Sequence, residues 1–99
     1  MNITMDTFQQ DVLEADQPVL VDFWGDDCAI CNALSPIIDA LSEEWEAVKV
    51  VKMWLSPDMP LVQQYGIQGI PTLILFKDGK PVKRASGFHS KEAILSRFG

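Results

Sequence analysis

The sequence predicts an α/β fold, a central mixed sheet with helices on both faces. Two observations predict it. Apolar runs at Val19–Trp24, Val48–Met53 and Thr72–Phe76 alternate with segments whose apolar residues recur at helical spacing. That is the pattern of strands covered on both faces, with helices between them. The last run leads into Lys77-Asp78-Gly79-Lys80, a tight-turn signal. The chain therefore returns as an antiparallel partner, and the sheet is mixed.

Each element has a local reason. Thr7–Leu13 reads as a short helix with Asp6 as N-cap and Phe8, Val12 and Leu13 on one side. Pro18 and Gly25 bound the strand Val19–Trp24. Cys28–Trp45 reads as a long helix, with Leu34, Ile37, Ile38, Leu41 and Trp45 on its apolar stripe. Pro36 inside it removes one backbone hydrogen bond and predicts a kink. Val48–Met53 follows as a second strand, parallel to the first because the crossover between them is right-handed. Ser56–Pro60 is a turn, and Leu61–Tyr65 a short helix ended by Gly66. Beyond the third strand, Pro81–Ala85 is the hairpin partner, with Pro81 suited to the start of an edge strand. Ser90 caps a last helix that carries Glu92 in its first turn and turns Ile94, Leu95 and Phe98 inward. Trp45 and Trp54 read as core or rim packing.

The 99 residues form one domain, 1–99, with no linker or repeat. A domain of this size buries about two-thirds of the surface of its unfolded chain, and a 47% hydrophobic composition is enough for a core. The net charge of −6 argues against nucleic acid as a direct ligand. The densest basic stretch, Lys80–Arg84, holds only three positive charges and reads as a solvated strand edge. No stretch reaches the roughly 18 apolar residues of a membrane span. The start, MNITMDTFQQDVLEAD, lacks both Lys/Arg and an apolar run, unlike a secretory signal. A cytoplasmic, monomeric protein is expected. There, two cysteines are more often catalytic or metal-binding than structural.

Cys28-Ala29-Ile30-Cys31 falls where a strand ends and a helix begins. The first helical turn presents unpaired backbone N–H groups and the positive end of the dipole, which favour a thiolate over a thiol. The spacing sets the second sulfur one turn behind the first, near enough to close a small disulfide ring. Cys28, at the helix mouth, is the nucleophile of this reading; Cys31, deeper, is the resolving thiol. Zinc is the rival use of such a pair, but it needs about four ligands. The chain offers two thiols and one distant histidine, His89, which reads as a loop residue.

With these motifs the chain resembles thioredoxins over nearly its whole length. The resemblance is carried by VLVDFW before the cysteines, Pro36 after them, Lys52, YGIQGIPTLILFKDGK from Tyr65 to Lys80, and Gly87. It implies a thioredoxin-like fold and thiol–disulfide exchange without metal or organic cofactor. It further implies that Asp22 is a buried carboxylate that shuttles a proton to or from Cys31, and that Lys52 moderates it. Pro71 would be a cis-proline facing the cysteines, with Ile70 offering main-chain groups to a substrate polypeptide. Trp24 would pack beside the active-site turn, and Gly69 and Gly87 would keep the rim low. The implied partners are protein disulfides and a flavin-dependent, thioredoxin-reductase-like electron donor.

Four positions depart from the family pattern. Asp27 stands where the family carries tryptophan, Ala29-Ile30 replace Gly-Pro, and Asn32 replaces a lysine. A carboxylate about 6 Å from a thiolate costs it on the order of 1 kcal/mol at the high dielectric of an exposed site. A helix N-terminus contributes a similar magnitude in the opposite direction. Asp26 and Asp27 are therefore expected to blunt thiolate formation without abolishing it, and to select different partners. The sequence leaves two rivals to a general reductase. One is an electron carrier dedicated to one partner, separable by insulin reduction with a generic reductase. The other is a binding module on the same fold, which would keep its role with both cysteines changed to serine.

Overall fold

A computed structural model describes all 99 residues. Its centre is a five-stranded sheet of β1 (Asn2–Ile3), β2 (Val19–Trp24), β3 (Lys49–Trp54), β4 (Thr72–Lys77) and β5 (Lys80–Ser86), in the order β1-β3-β2-β4-β5. β3 runs parallel to both β1 and β2, whereas β4 is antiparallel to β2 and β5 to β4. The mixed sheet and the parallel first pair are as the sequence reading expects.

Alternation along the strands divides the interior into two cores. Val19, Val21 and Phe23 of β2, with Val51, Met53, Ile74 and Phe76, face one side. There they meet Phe8 and Val12 of the N-terminal helical segment and Leu61 of α3 (Pro60–Gln64). Leu20, Val50, Leu73 and Leu75 face the other side, against α2 (Ala29–Glu44) and α4 (Lys91–Phe98). Cys31, Leu34, Ile38 and Leu41 form the buried stripe of α2, at three- and four-residue steps that keep them on one face. Truncating Leu34 or Ile38 to Ala would cost about 2–5 kcal/mol, since both are fully enclosed.

The boundaries differ from the sequence reading in places with clear causes. The first helix begins earlier, as α1 (Met5–Phe8), and widens into a π-helical turn over Gln9–Leu13. Its N-cap is Thr4, whose N–H donates to Thr7 Oγ1 at 3.2 Å, and Asp6 lies within the first turn. α2 starts one residue later, because Cys28 is its N-cap, and runs without interruption through Pro36 to Glu44. Leu95 is 37% exposed rather than inward-facing, while Ile94 and Phe98 carry the contact of α4 with the sheet. Asp78 and Gly79 both have positive φ, 52° and 77°, the geometry of a two-residue hairpin turn.

Candidate active site

The site forms where β2 hands over to α2. Strand β2 ends at Trp24, Gly25 is buried, and the chain turns at Asp26–Asp27. Asp27 has φ +53°, a region that aspartate enters more readily than most side chains. Its identity thus has a backbone reason as well as an electrostatic effect. Cys28 follows in extended conformation as the N-cap of α2, and its Sγ accepts the N–H of Cys31 at 3.1 Å. Cys28 and Cys31 are joined as a disulfide with their Cα atoms 5.2 Å apart. Cys31 is only 3% exposed, while Cys28 is partly exposed and Ala29 and Ile30 are open to solvent.

A second loop comes down on the disulfide. The Ile70–Pro71 peptide bond is cis, and Ile70 O lies 4.0 Å from Cys28 Sγ. Two hydrogen bonds fix this loop. Thr72 Oγ1 donates to Gly69 O, and Gly87 N–H donates to Pro71 O at 3.0 Å. Gly87, at φ +82°, lets β5 turn away immediately afterwards. Gly69, Ile70, Pro71 and Gly87 therefore belong to one rim, and Ile70 is exposed on it.

Behind the disulfide is a cavity of about 210 Å³ lined by Asn2, Asp22, Trp24, Cys31, Asn32, Ser35 and Lys52. Asp22 is 1% exposed, and its Oδ1, like the Nε1 of Trp24, has no protein partner. Burial pushes the Asp22 carboxyl up from 3.8 to about 7, partly opposed by the Lys52 charge and assisted by that of Asp39. Lys52 stands in register with Asp22 on the neighbouring strand. Its ammonium, however, reaches across to α2, 2.8 Å from both Ser35 Oγ and Asp39 Oδ1. Asp22 thus feels a nearby cation without being bonded to it.

The structure brings Asp22, Trp24, Cys31 and Lys52 around one cavity and sets Gly69, Ile70, Pro71 and Gly87 on the rim above Cys28. Asp27, Ala29 and Ile30 flank the disulfide. The sequence reading takes Trp54 only as core or rim packing; it stands at the carboxyl end of β3 in register with Trp24 and donates its Nε1–H to Asp26 Oδ1 at 3.2 Å. Its signal was available: parallel strands collect functional residues at their carboxyl ends. No three His, Cys, Asp or Glu side chains come together as a metal centre, and no helix is long and apolar enough to cross a membrane.

A cysteine pair closed into a disulfide at the mouth of a helix, with a cis-proline loop against one sulfur and a buried carboxyl behind the other, defines a thiol–disulfide oxidoreductase. Comparison with known proteins gives the family. The thioredoxin family model matches residues 1–98, and the chain belongs to the thioredoxin family. It is 41% identical over 95 residues to a thioredoxin of Rickettsia bellii, covering 95% of this chain and 90% of that protein. It is 39% identical over 97 residues to a thioredoxin of Pseudomonas aeruginosa, covering 97% and 90% respectively. A thioredoxin of Porphyra purpurea is 41% identical over 95 residues, covering 95% and 89%.

Proposed function

We propose that this protein reduces disulfides of polypeptide substrates, with Cys28 as nucleophile and Cys31 as resolving thiol. One observation carries the reading: the Cys31 N–H is directed at Cys28 Sγ, 3.1 Å away, at the N-terminus of a 16-residue helix. The amide and the helix dipole together favour an anion on that sulfur.

In the reduced protein the Cys28 thiolate attacks one sulfur of the substrate disulfide. A Cys28–substrate bond forms, the substrate S–S bond breaks, and the departing substrate thiolate takes up a proton. Cys31 then gives its proton to the Asp22 carboxylate and attacks Cys28 Sγ. The intramolecular disulfide forms and the second substrate thiolate leaves. Two electrons have passed from the dithiol to the substrate. A carboxyl near 7 can both accept and return a proton at neutral pH, and the cavity it shares with Cys31 has room for bridging water.

The rim has the character such substrates need. Ile70 offers a main-chain carbonyl beside the reacting sulfur, Ile30 and Ile70 offer apolar contact, and Gly69 and Gly87 add no side chains. Pro71 keeps the loop against the cysteines, and Trp24 and Lys52 hold the environment of Asp22. All these groups come from one chain, as a monomer requires. Return of the two electrons needs an external reductant, which the family resemblance makes a flavin-dependent reductase. It also calls for a compartment that keeps thiols reduced, which is the cytoplasm.

The test is insulin reduction with dithiothreitol as the electron source. The protein is expected to hasten precipitation of the insulin chains. Pre-reduced and freed of dithiothreitol before insulin is added, Cys31→Ser should halt at a mixed disulfide isolable by mass spectrometry, and Cys28→Ser should form none. A rate no faster than dithiothreitol alone, with no adduct on Cys31→Ser, would overturn the reading.

A further inference from the structure

Beside the disulfide, at the carboxyl ends of β2 and β3, runs a groove of about 380 Å³. Leu55, Val62, Ile67 and Ile70 give it an apolar floor, and Trp54 and Asp26 form one wall. It ends at the reacting centre: Ile70 lines it, and Ile70 O is 4.0 Å from Cys28 Sγ. Gly25 lets the two sides close up, since a Cβ there would stand 2.6 Å from Ile70 Cδ1.

The electrostatics of this groove have one sign. Asp26 is its only charged lining residue. Asp27 and Asp58, next in the chain to Asp26 and Pro57, are both exposed. Lys52, the nearest cation along β3, does not line the groove and is bonded to Ser35 and Asp39. The indole of Trp54 is 43% exposed yet held in place by its bond to Asp26. Only Oδ1 of that carboxylate is engaged by the indole, and an indole face attracts cations. A fixed aromatic face beside a carboxylate, over an apolar floor, suits a side chain with an aliphatic stem and a cationic head.

This inference rests on the exchange reading above. We propose that Trp54 and Asp26 form a specificity site for polypeptide disulfides carrying Lys or Arg close to the reacting cysteine. The stem of that side chain lies over Leu55 and Ile70, and its charge sits between the Trp54 ring and the Asp26 carboxylate. The aromatic surface missing at Asp27 is thereby supplied from the end of β3, with a charge preference attached to it.

The experiment is single-turnover reduction of three disulfides by the reduced protein. Two are peptides differing only in Arg or Glu beside the cysteine; the third is hydroxyethyl disulfide. The Arg peptide is expected to react about tenfold faster than the Glu peptide at low salt, with the ratio shrinking as salt is added. Trp54→Ala should bring the ratio to within about twofold. So should Asp26→Asn, which keeps an acceptor for the indole but removes the charge. The ratio is internal to each variant, so a general loss of activity does not move it. Should Trp54→Ala fail to fold, Asp26→Asn and the salt dependence carry the test. Exchange with hydroxyethyl disulfide but no discrimination between peptides, or discrimination unchanged in Asp26→Asn, overturns the specificity site alone. Failure with all three disulfides overturns the exchange reading and the site with it.

Discussion

Asp22 and Lys52 face each other in register on adjacent parallel strands, yet the lysine ammonium is bonded to Asp39 and Ser35 of α2. The carboxyl is left buried, with one oxygen unpartnered, in a cavity it shares with Cys31. Had Lys52 bonded Asp22 directly, the carboxylate would be held ionised and would be a poor acceptor of a proton near neutral pH.

A stability profile follows from this. The folded-state value of Asp22, about 7, lies above its ordinary value of 3.8. Below roughly pH 4 the group is protonated in both folded and unfolded chains and costs nothing. Between roughly 4 and 7 the unfolded chain ionises first, so stability falls as pH rises. Above 7 the loss is complete, on the order of 4 kcal/mol. Asp22→Asn is expected to stabilise the oxidised protein at pH 8 by about 2–4 kcal/mol in urea unfolding and to flatten the profile over that window. A variant whose profile parallels the wild type would exclude Asp22 as its source.

Lys52→Met removes the cation that lowers the proton affinity of Asp22. The Asp22 titration, followed by carboxyl infrared absorption, should move upward by on the order of one pKa unit. A shift downward would mean that Lys52 acts through packing and not through charge.

Asp27 carries a charge beside the helix mouth. Asp27→Asn keeps a residue suited to positive φ and removes that charge. Thiolate absorbance of the reduced protein should then develop at lower pH. No movement would mean that solvent screens the carboxylate completely.

Gly79 has φ +77°, and a Cβ there would come within 2.9 Å of Leu13 O. Gly66 has φ +62° with open space around it. Both pay the left-handed strain on mutation to alanine, about 1–2 kcal/mol, but only Gly79→Ala meets backbone as well. Gly79→Ala should therefore lower the urea midpoint more than Gly66→Ala; equal midpoints would show that the hairpin tip moves aside freely.

The strands β2, β3 and β4 are legible in the sequence because burial on both faces leaves continuous apolar runs. The cysteine pair is legible because a strand end and a helix start bracket it. β1 is not: Asn2–Ile3 is too short for any period to show, and only pairing with Lys52 and Met53 makes it a strand. The strand-end position of Trp54 is legible, but its bond to Asp26 depends on the register between β2 and β3, which exists only once the sheet has assembled. Asp27 looked like an electrostatic puzzle; the positive φ that favours it is a property of the turn and not of the residue string. Leu95 was misplaced because Ile94 and Phe98 alone suffice to bury the face of a two-turn helix.

The central claim is that Cys28, at the helix mouth, is the thiolate that attacks. Its most direct test is the rate at which iodoacetamide alkylates each cysteine of the reduced protein across pH 5 to 9, mapped by mass spectrometry. Cys28 should be modified first at every pH, with Cys31 protected until the protein is unfolded. Alkylation of Cys31 as fast as Cys28 would contradict it.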